Sequence, residues 1–314
     1  MRPGRLEWGH DPPHSKFFRM TEPKPLPGLV IATYGRHYQV ESDDVVYRCV
    51  TRGKQSGVAC GDRVVFLITS SGQGVIESIL PRDNLLHRSV EHRSKLIAAN
   101  VSLIVIVVAP VPSFYDLLIN RCLVAAEAAH IRPVICLNKF DLGEPAQAAL
   151  ARLQPYIALG YPVIPVSAHH DIAPLRPYMA GQTSVFVGQS GMGKSSLINA
   201  LAPDARTTVG EISEALDSGR HTTTSARMYA LDATSRLIDS PGMQSFGLNH
   251  VQADQLDQLF VEFRPYIGLC KFNNCRHVHE PGCAVIAASA RDQISPTRLA
   301  AYQAILASLS SPQR

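Results

Sequence analysis

The segment Gly188-Gln189-Ser190-Gly191-Met192-Gly193-Lys194-Ser195-Ser196 constrains this chain more than any other. It matches G-x-x-x-x-G-K-[ST], a loop that functions only between a strand and a helix. Both flanks are present: the apolar run Ser184-Val185-Phe186-Val187 precedes it, and Leu197-Ile198-Asn199-Ala200-Leu201 continues it with helical character. Glycines let the backbone wrap closely enough for its N–H groups to form an anion nest. The N-terminus of the following helix adds its dipole to the attraction for phosphate. Lys194 is expected to reach β- and γ-phosphates, and Ser195 to place its hydroxyl on Mg²⁺.

A second motif lies upstream. Asn138-Lys139-Phe140-Asp141 directly follows the apolar run Val134-Ile135-Cys136-Leu137 and matches N-K-x-D. A carboxylate accepts two hydrogen bonds from the N1–H and amino group of guanine, whereas adenine presents no such donor pair. Asp141 is the candidate base reader. Lys139 is expected to lay its stem over the base, and Asn138 to tie this loop to the phosphate loop. The alternative, an Asp that merely starts a helix, fits less well at the C-terminal end of a strand, where doubly wound sheets bind ligands. Ser167-Ala168 follows the next apolar run and is the expected backbone support for the base.

Downstream, Asp239-Ser240-Pro241-Gly242 matches D-x-x-G after Arg236-Leu237-Ile238. Asp239 is expected to serve Mg²⁺ and the Gly242 N–H to sense a γ-phosphate. Gly219-Arg220-His221-Thr222-Thr223-Thr224 is the candidate first switch. Thr223 and Thr224 both qualify for the Mg²⁺ hydroxyl, and spacing to the following strand favours Thr224. Met243 stands where Ras-type enzymes carry a water-orienting Gln. Met243 cannot orient water, so that group comes from elsewhere or from a partner. His221 is the in-chain candidate, a donor and acceptor beside the switch threonines; a loop histidine facing RNA or solvent is the alternative.

Order is the unusual feature. The base-reading and Ser-Ala motifs precede the phosphate loop, while the cyclic sequence of all five elements is intact. A cut at surface termini that lie close together preserves a fold, so the expectation is a circularly permuted nucleotide-binding domain. The alternation of apolar runs and helical stripes from about residue 96 to 250, including Leu103 to Ala109 and the stripe Leu118, Cys122, Ala125, Ala129, predicts a doubly wound parallel sheet. Residues 28–95 carry five short β-like runs punctuated by Gly, Asp and Ser, which predicts an OB-type barrel over an SH3-like one. Residues 1–27 hold six of the 22 prolines and read as a flexible tail.

The remainder, 251–314, reads as a small helical module around Cys270, Cys275, His277 and Cys283. Three thiolates and one imidazole suit a closed tetrahedral structural Zn²⁺ site; His279 is the competing imidazole. The other cysteines, Cys49, Cys60, Cys122 and Cys136, are scattered and read as reduced thiols. With 46% hydrophobic residues and a net charge of +4, the chain can bury real cores and is compatible with RNA without demanding it. No apolar run approaches the ~18 residues of a membrane span. Nor does the N-terminus read as a secretory signal, so a cytoplasmic protein without a membrane partner is expected.

Taken in this order, GQSGMGKSS, GRHTTT, DSPG and the tail CKFNNCRHVHEPGC resemble the RsgA (YjeQ) family of circularly permuted GTPases, from about Gly28 to the end. The resemblance implies an OB domain, a permuted GTPase domain and a zinc domain that grips small-subunit rRNA. It implies slow intrinsic GTP hydrolysis stimulated by the small ribosomal subunit and a late role in its maturation. A monomer is expected. In that family an apolar residue replaces the catalytic Gln, as Met243 does here, and the histidine matching His221 has been proposed to substitute. Two other readings compete: an RNA-binding module gated by nucleotide, in which hydrolysis is incidental, and an ATPase or small-molecule kinase, against which Asp141 argues.

Overall fold

The computed structural model describes residues 24–53, 57–90, 93–203, 226–239, 248 and 251–310. The candidate switch residues His221, Thr223 and Thr224, the stretch Ser240 to Met243 with Gly242, and the N-terminal 23 residues lie outside them.

Five strands build the N-terminal barrel: β1 (Leu26–Tyr34), β2 (His37–Ser42), β3 (Val45–Thr51), β4 (Arg63–Ser70) and β5 (Gln73–Ile79). They close in the order β1-β2-β3-β5-β4-β1, with β3 and β5 parallel and the other pairs antiparallel. Closure in this order is the OB topology and leaves no free edge. Alternate residues point inward, so Val30, Val40, Cys49, Val64, Phe66 and Ile76 form a separate barrel core. Gly28 and Gly74 are small because a Cβ there would meet Val40 at 2.4 Å or Leu67 O at 2.9 Å. β1 begins at Leu26, inside the segment read as a tail.

A hairpin of β6 (Leu85–Val90) and β7 (Arg93–Ala99) follows. The sequence reading has no strands here, because polar residues interrupt the period-two apolar signal. The expected domain boundary at 95/96 falls within β7. The passage between units is instead pinned at the base of the hairpin. Asn84 exchanges hydrogen bonds with the backbone of Val101, and Asn100 Nδ2 donates to Gly61 O at 2.8 Å.

The second unit contains β8 (Leu103–Val108), β9 (Arg132–Leu137), β10 (Val163–Pro165), β11 (Thr183–Val187), β12 (Arg227–Ala230) and β13 (Arg236–Asp239). Their order is β10-β9-β8-β11-β13-β12, parallel except for β12. Every residue of β8 is buried, as a strand covered on both faces requires. β11, which leads into the phosphate loop, lies between β8 and β13 and is likewise central. β12 also meets β1 at Ala32 and Arg227, so barrel and sheet form one continuous β surface.

The last 60 described residues form two 3₁₀ segments, Leu256–Leu259 and Val261–Tyr266, and two helices, Ala284–Ser289 and Pro296–Ser310. Phe260, Phe263, Tyr302 and Ile305 pack together and against the helix Asp116–Ala128 of the second unit. No helix among the described residues is long and apolar enough to cross a membrane.

Candidate nucleotide site and metal centre

The sheet brings the upstream and downstream motifs to one end. Residues 188–193 leave the C-terminal end of β11 and enter the helix Lys194–Leu201; residues 138–141 leave the neighbouring end of β9. Two glycines of the loop are obligatory. Gly193 has φ +87, and a Cβ there would lie 2.3 Å from Asn138 Nδ2; at Gly188, φ +154, it would lie 2.2 Å from Val107 O. Met192, in contrast, is fully buried and anchors the loop in the core.

Asn138 joins three segments. Its buried side chain donates from Nδ2 to Met192 O at 2.9 Å, and its Oδ1 accepts from the Ala168 N–H at 3.1 Å. The phosphate loop, the N-K-x-D loop and the Ser-Ala loop are thereby fixed by one amide. Lys139 takes a left-handed backbone, φ +60, and its Nζ donates to Gly191 O at 2.8 Å and Val111 O at 2.7 Å. Its stem thus crosses from one loop to the other. Asp141 sits in a short 3₁₀ turn, Phe140–Leu142, with its carboxyl exposed. Ser167 Oγ is buried and completes no hydrogen bond of ordinary length. It lies near enough to Asp141 to be the main cause holding that carboxyl below its usual value; the Asp141 backbone N–H, His170 and His169 add to it. An ionised acceptor aimed outward is what a two-donor base edge requires.

Lys194 Nζ donates to Gly188 O at 2.6 Å and Gln189 O at 2.7 Å, curled over the loop it serves. Burial pulls its ammonium below the ordinary value, opposed by Asp239. Burial likewise pushes the Asp239 carboxyl upward, opposed by Lys194. A half-buried carboxylate facing a half-buried ammonium beside a phosphate nest fits a bound anion with its divalent cation. Ser195 and Ser196 occupy the first turn of the helix that follows.

The family model for RsgA GTPase matches residues 79–249. A Nitrosospira multiformis protein named small ribosomal subunit biogenesis GTPase RsgA is 54% identical over 288 residues, covering 91% of this chain and 92% of its own. This chain belongs to the RsgA GTPase family. The Nitrosomonas europaea RsgA is 50% identical over 288 residues, with 90% and 92% coverage. Among solved structures, YjeQ from Thermotoga maritima superposes with a TM-score of 0.72 at 29% identity, covering 91% of this chain and 99% of its own. YloQ, described as a circularly permuted GTPase, gives 0.69 at 28%, with 93% and 98% coverage. Like its family, this protein is a GTP hydrolase whose guanine motif comes before its phosphate loop.

Cys270, Cys275, His277 and Cys283 converge, with all ligand atoms within 4.8 Å of one another. His277 Nδ1 lies 3.6, 3.6 and 3.3 Å from the three sulfurs, and Cys270 Sγ lies 3.9 Å from Cys283 Sγ. A regular tetrahedron with bonds of about 2.3 Å has edges of about 3.8 Å, so the cluster can hold a metal ion of zinc's size and geometry. Burial first, then the neighbouring thiols, push Cys275 up to about 12, a cost that a divalent cation would reverse. Backbone N–H groups of Ala284 and Ile286 point at Cys270 and Cys283 sulfur, as they do at thiolates.

Several supporting groups were not legible in the motif. Asp257 Oδ2 lies 3.6 Å from His277 Nε2, which leaves Nδ1 for the metal. Glu280 accepts from the N–H groups of Arg276, Val278 and His279 at 2.9 to 3.1 Å. Desolvation alone would raise its carboxyl, but these donors outweigh that and hold it at about 2. Tyr302 and Gln303 of the last helix donate to the carbonyls of Arg276 and His277 at 3.1 Å. Glu280 alone had a local signal, a carboxylate closing the ligand loop; Asp257, Tyr302 and Gln303 reach the centre only through the fold. His279 lies outside the cluster.

Proposed function

We propose that this protein binds the small ribosomal subunit and hydrolyses GTP in a subunit-stimulated manner during late subunit maturation. The observation that carries the reading is the Asn138 amide, which joins the guanine-reading loop to a phosphate loop 50 residues downstream. The names of the relatives support the small subunit as partner. In this reading the protein acts as a cytoplasmic monomer and contacts the subunit through its rRNA. GTP is read by Asp141, Lys139, Ser167 and Ala168 and held by Gly188 to Ser196. Mg²⁺ is served by Ser195, Asp239 and Thr224, with Thr223 as its neighbour, and Gly242 senses the γ-phosphate. His221 orients the attacking water in place of the residue that Met243 cannot supply. The cluster of Cys270, Cys275, His277 and Cys283 holds one structural Zn²⁺, which supplies cross-linking rather than chemistry. Three units, OB barrel, permuted GTPase domain and zinc module, meet at the β6–β7 hairpin and near Val251.

Cosedimentation tests the partner. The protein with a non-hydrolysable GTP analogue is expected to pellet with small subunits and not with large ones, and less so with GDP. Equal recovery on both subunits in every nucleotide state would refute the reading.

A further inference from the structure

Arg298 belongs to the C-terminal helix and is 1% exposed. Its Nε and Nη2 donate to the two Glu262 oxygens at 2.6 and 3.0 Å. Its Nη1 crosses to the GTPase domain and donates to Asn120 Oδ1. The guanidinium also lies 4.5 Å from the centre of the Phe260 ring. A buried charge held from both sides of an interface registers the two sides against each other, because losing one partner leaves polar atoms unpaired.

Asn120 passes this register on. Its Nδ2 donates to Asp116 O at 2.7 Å and to Tyr156 Oη at 3.0 Å. Asp116 opens its helix, and the loop just before it rests on the phosphate loop. There the Tyr115 N–H donates to Gln189 Oε1 at 2.8 Å, and Pro112 lies 3.2 Å from where a Cβ on Gly191 would stand. Arg152 clamps the same loop. It donates to Ser113 Oγ, Phe114 O and Asp116 Oδ2 at 2.9 to 3.2 Å, with its guanidinium 4.1 Å from the Phe114 ring centre. A cleft of about 240 Å³ lined by Asp116, Arg152, Tyr156 and Arg298 runs beside this path.

We infer that Asn120 and Arg298 are positioning residues that couple nucleotide occupancy of the phosphate loop to the packing of the C-terminal module. The inference rests on nucleotide binding at Gly188 to Ser196, and it names a route independent of the D-x-x-G stretch. Coupling of this kind is reciprocal: what nucleotide does to the module, the module does to nucleotide affinity. The element both ends bias is the loop 111–116.

The test is hydrogen exchange of the full zinc-loaded protein with and without GDP, together with the dissociation rate of a fluorescent GDP. In the wild type, GDP should protect both 111–116 and 296–306. In Asn120→Leu, GDP should still bind and protect 111–116, protection at 296–306 should vanish, and GDP should leave at least about five-fold faster. Arg121→Ala removes a different bond across the same interface, Arg121 Nη1 to Ser308 Oγ at 3.2 Å, and should change neither readout. Full C-terminal protection in Asn120→Leu, or equal losses in both variants, would overturn the coupling. Failure of the wild type to bind GDP would instead strike at the nucleotide site itself.

Discussion

Asp141 and Asn138 stand three residues apart and do different work. Asp141 presents an exposed carboxyl that is kept ionised. Asn138 is buried and spends both ends of its amide on other loops. Asp141→Asn removes the charge and replaces one acceptor with a donor that opposes the guanine amino group. With charged hydrogen bonds contributing about 1.5–3 kcal/mol, GTP affinity should fall by at least about ten-fold while thermal stability stays within about 1 kcal/mol of the wild type. Titration of fluorescent GDP and ADP measures it, and unchanged GDP preference would remove Asp141 from base reading. Asn138→Ala should behave otherwise, lowering both stability and affinity, because two buried bonds are lost, each worth about 1 kcal/mol. A melting temperature equal to the wild type would contradict the threefold junction.

Elements explain which parts of the molecule could be read in advance. The β12–β13 hairpin delivers Asp239 to the site, and its turn is held by Asp232. That carboxylate accepts from Thr234 N and Ser235 N at 2.8 Å and is held at about 2, chiefly by Ser235, then by the Thr234 N–H. A carboxyl depressed in the folded state stabilises fully above its unfolded value and loses that contribution as pH falls toward 2. Asp232→Ala should therefore melt below the wild type at pH 7, and the gap should narrow between about pH 4 and 2. A gap independent of pH would contradict the capping role. The barrel strands, β8, β9, β11 and the phosphate loop were legible because their apolar period, glycines and polar termini agree. β6 and β7 were not, since polar residues mask them; β12 was legible as a strand but not as an antiparallel one, since nothing local announces strand direction. The metal ligands showed in their spacing. The groups that orient them, Asp257, Tyr302 and Gln303, did not, because sequence separation hides them.

At the scale of the whole molecule, three units share two seams. Barrel and GTPase sheet join through β1 and β12, and Arg236 reaches Glu41 at 3.5 Å. The C-terminal module joins through Arg298 and through Arg264, which pairs with Glu127 at 2.9 Å. The metal cluster underlies that second seam. Stripping the metal with a chelator should expose sites beyond Val251 to protease and reduce the helical signal, while the barrel remains resistant. A digestion pattern unchanged by chelation would contradict a metal-dependent module. Coupling of the permuted guanine-nucleotide site to a ribosomal partner would be read out by the steady-state rate of GTP hydrolysis. That rate should be low for the protein alone, unchanged by large ribosomal subunits and raised many-fold by small ones; a rate that small subunits leave unchanged would contradict it.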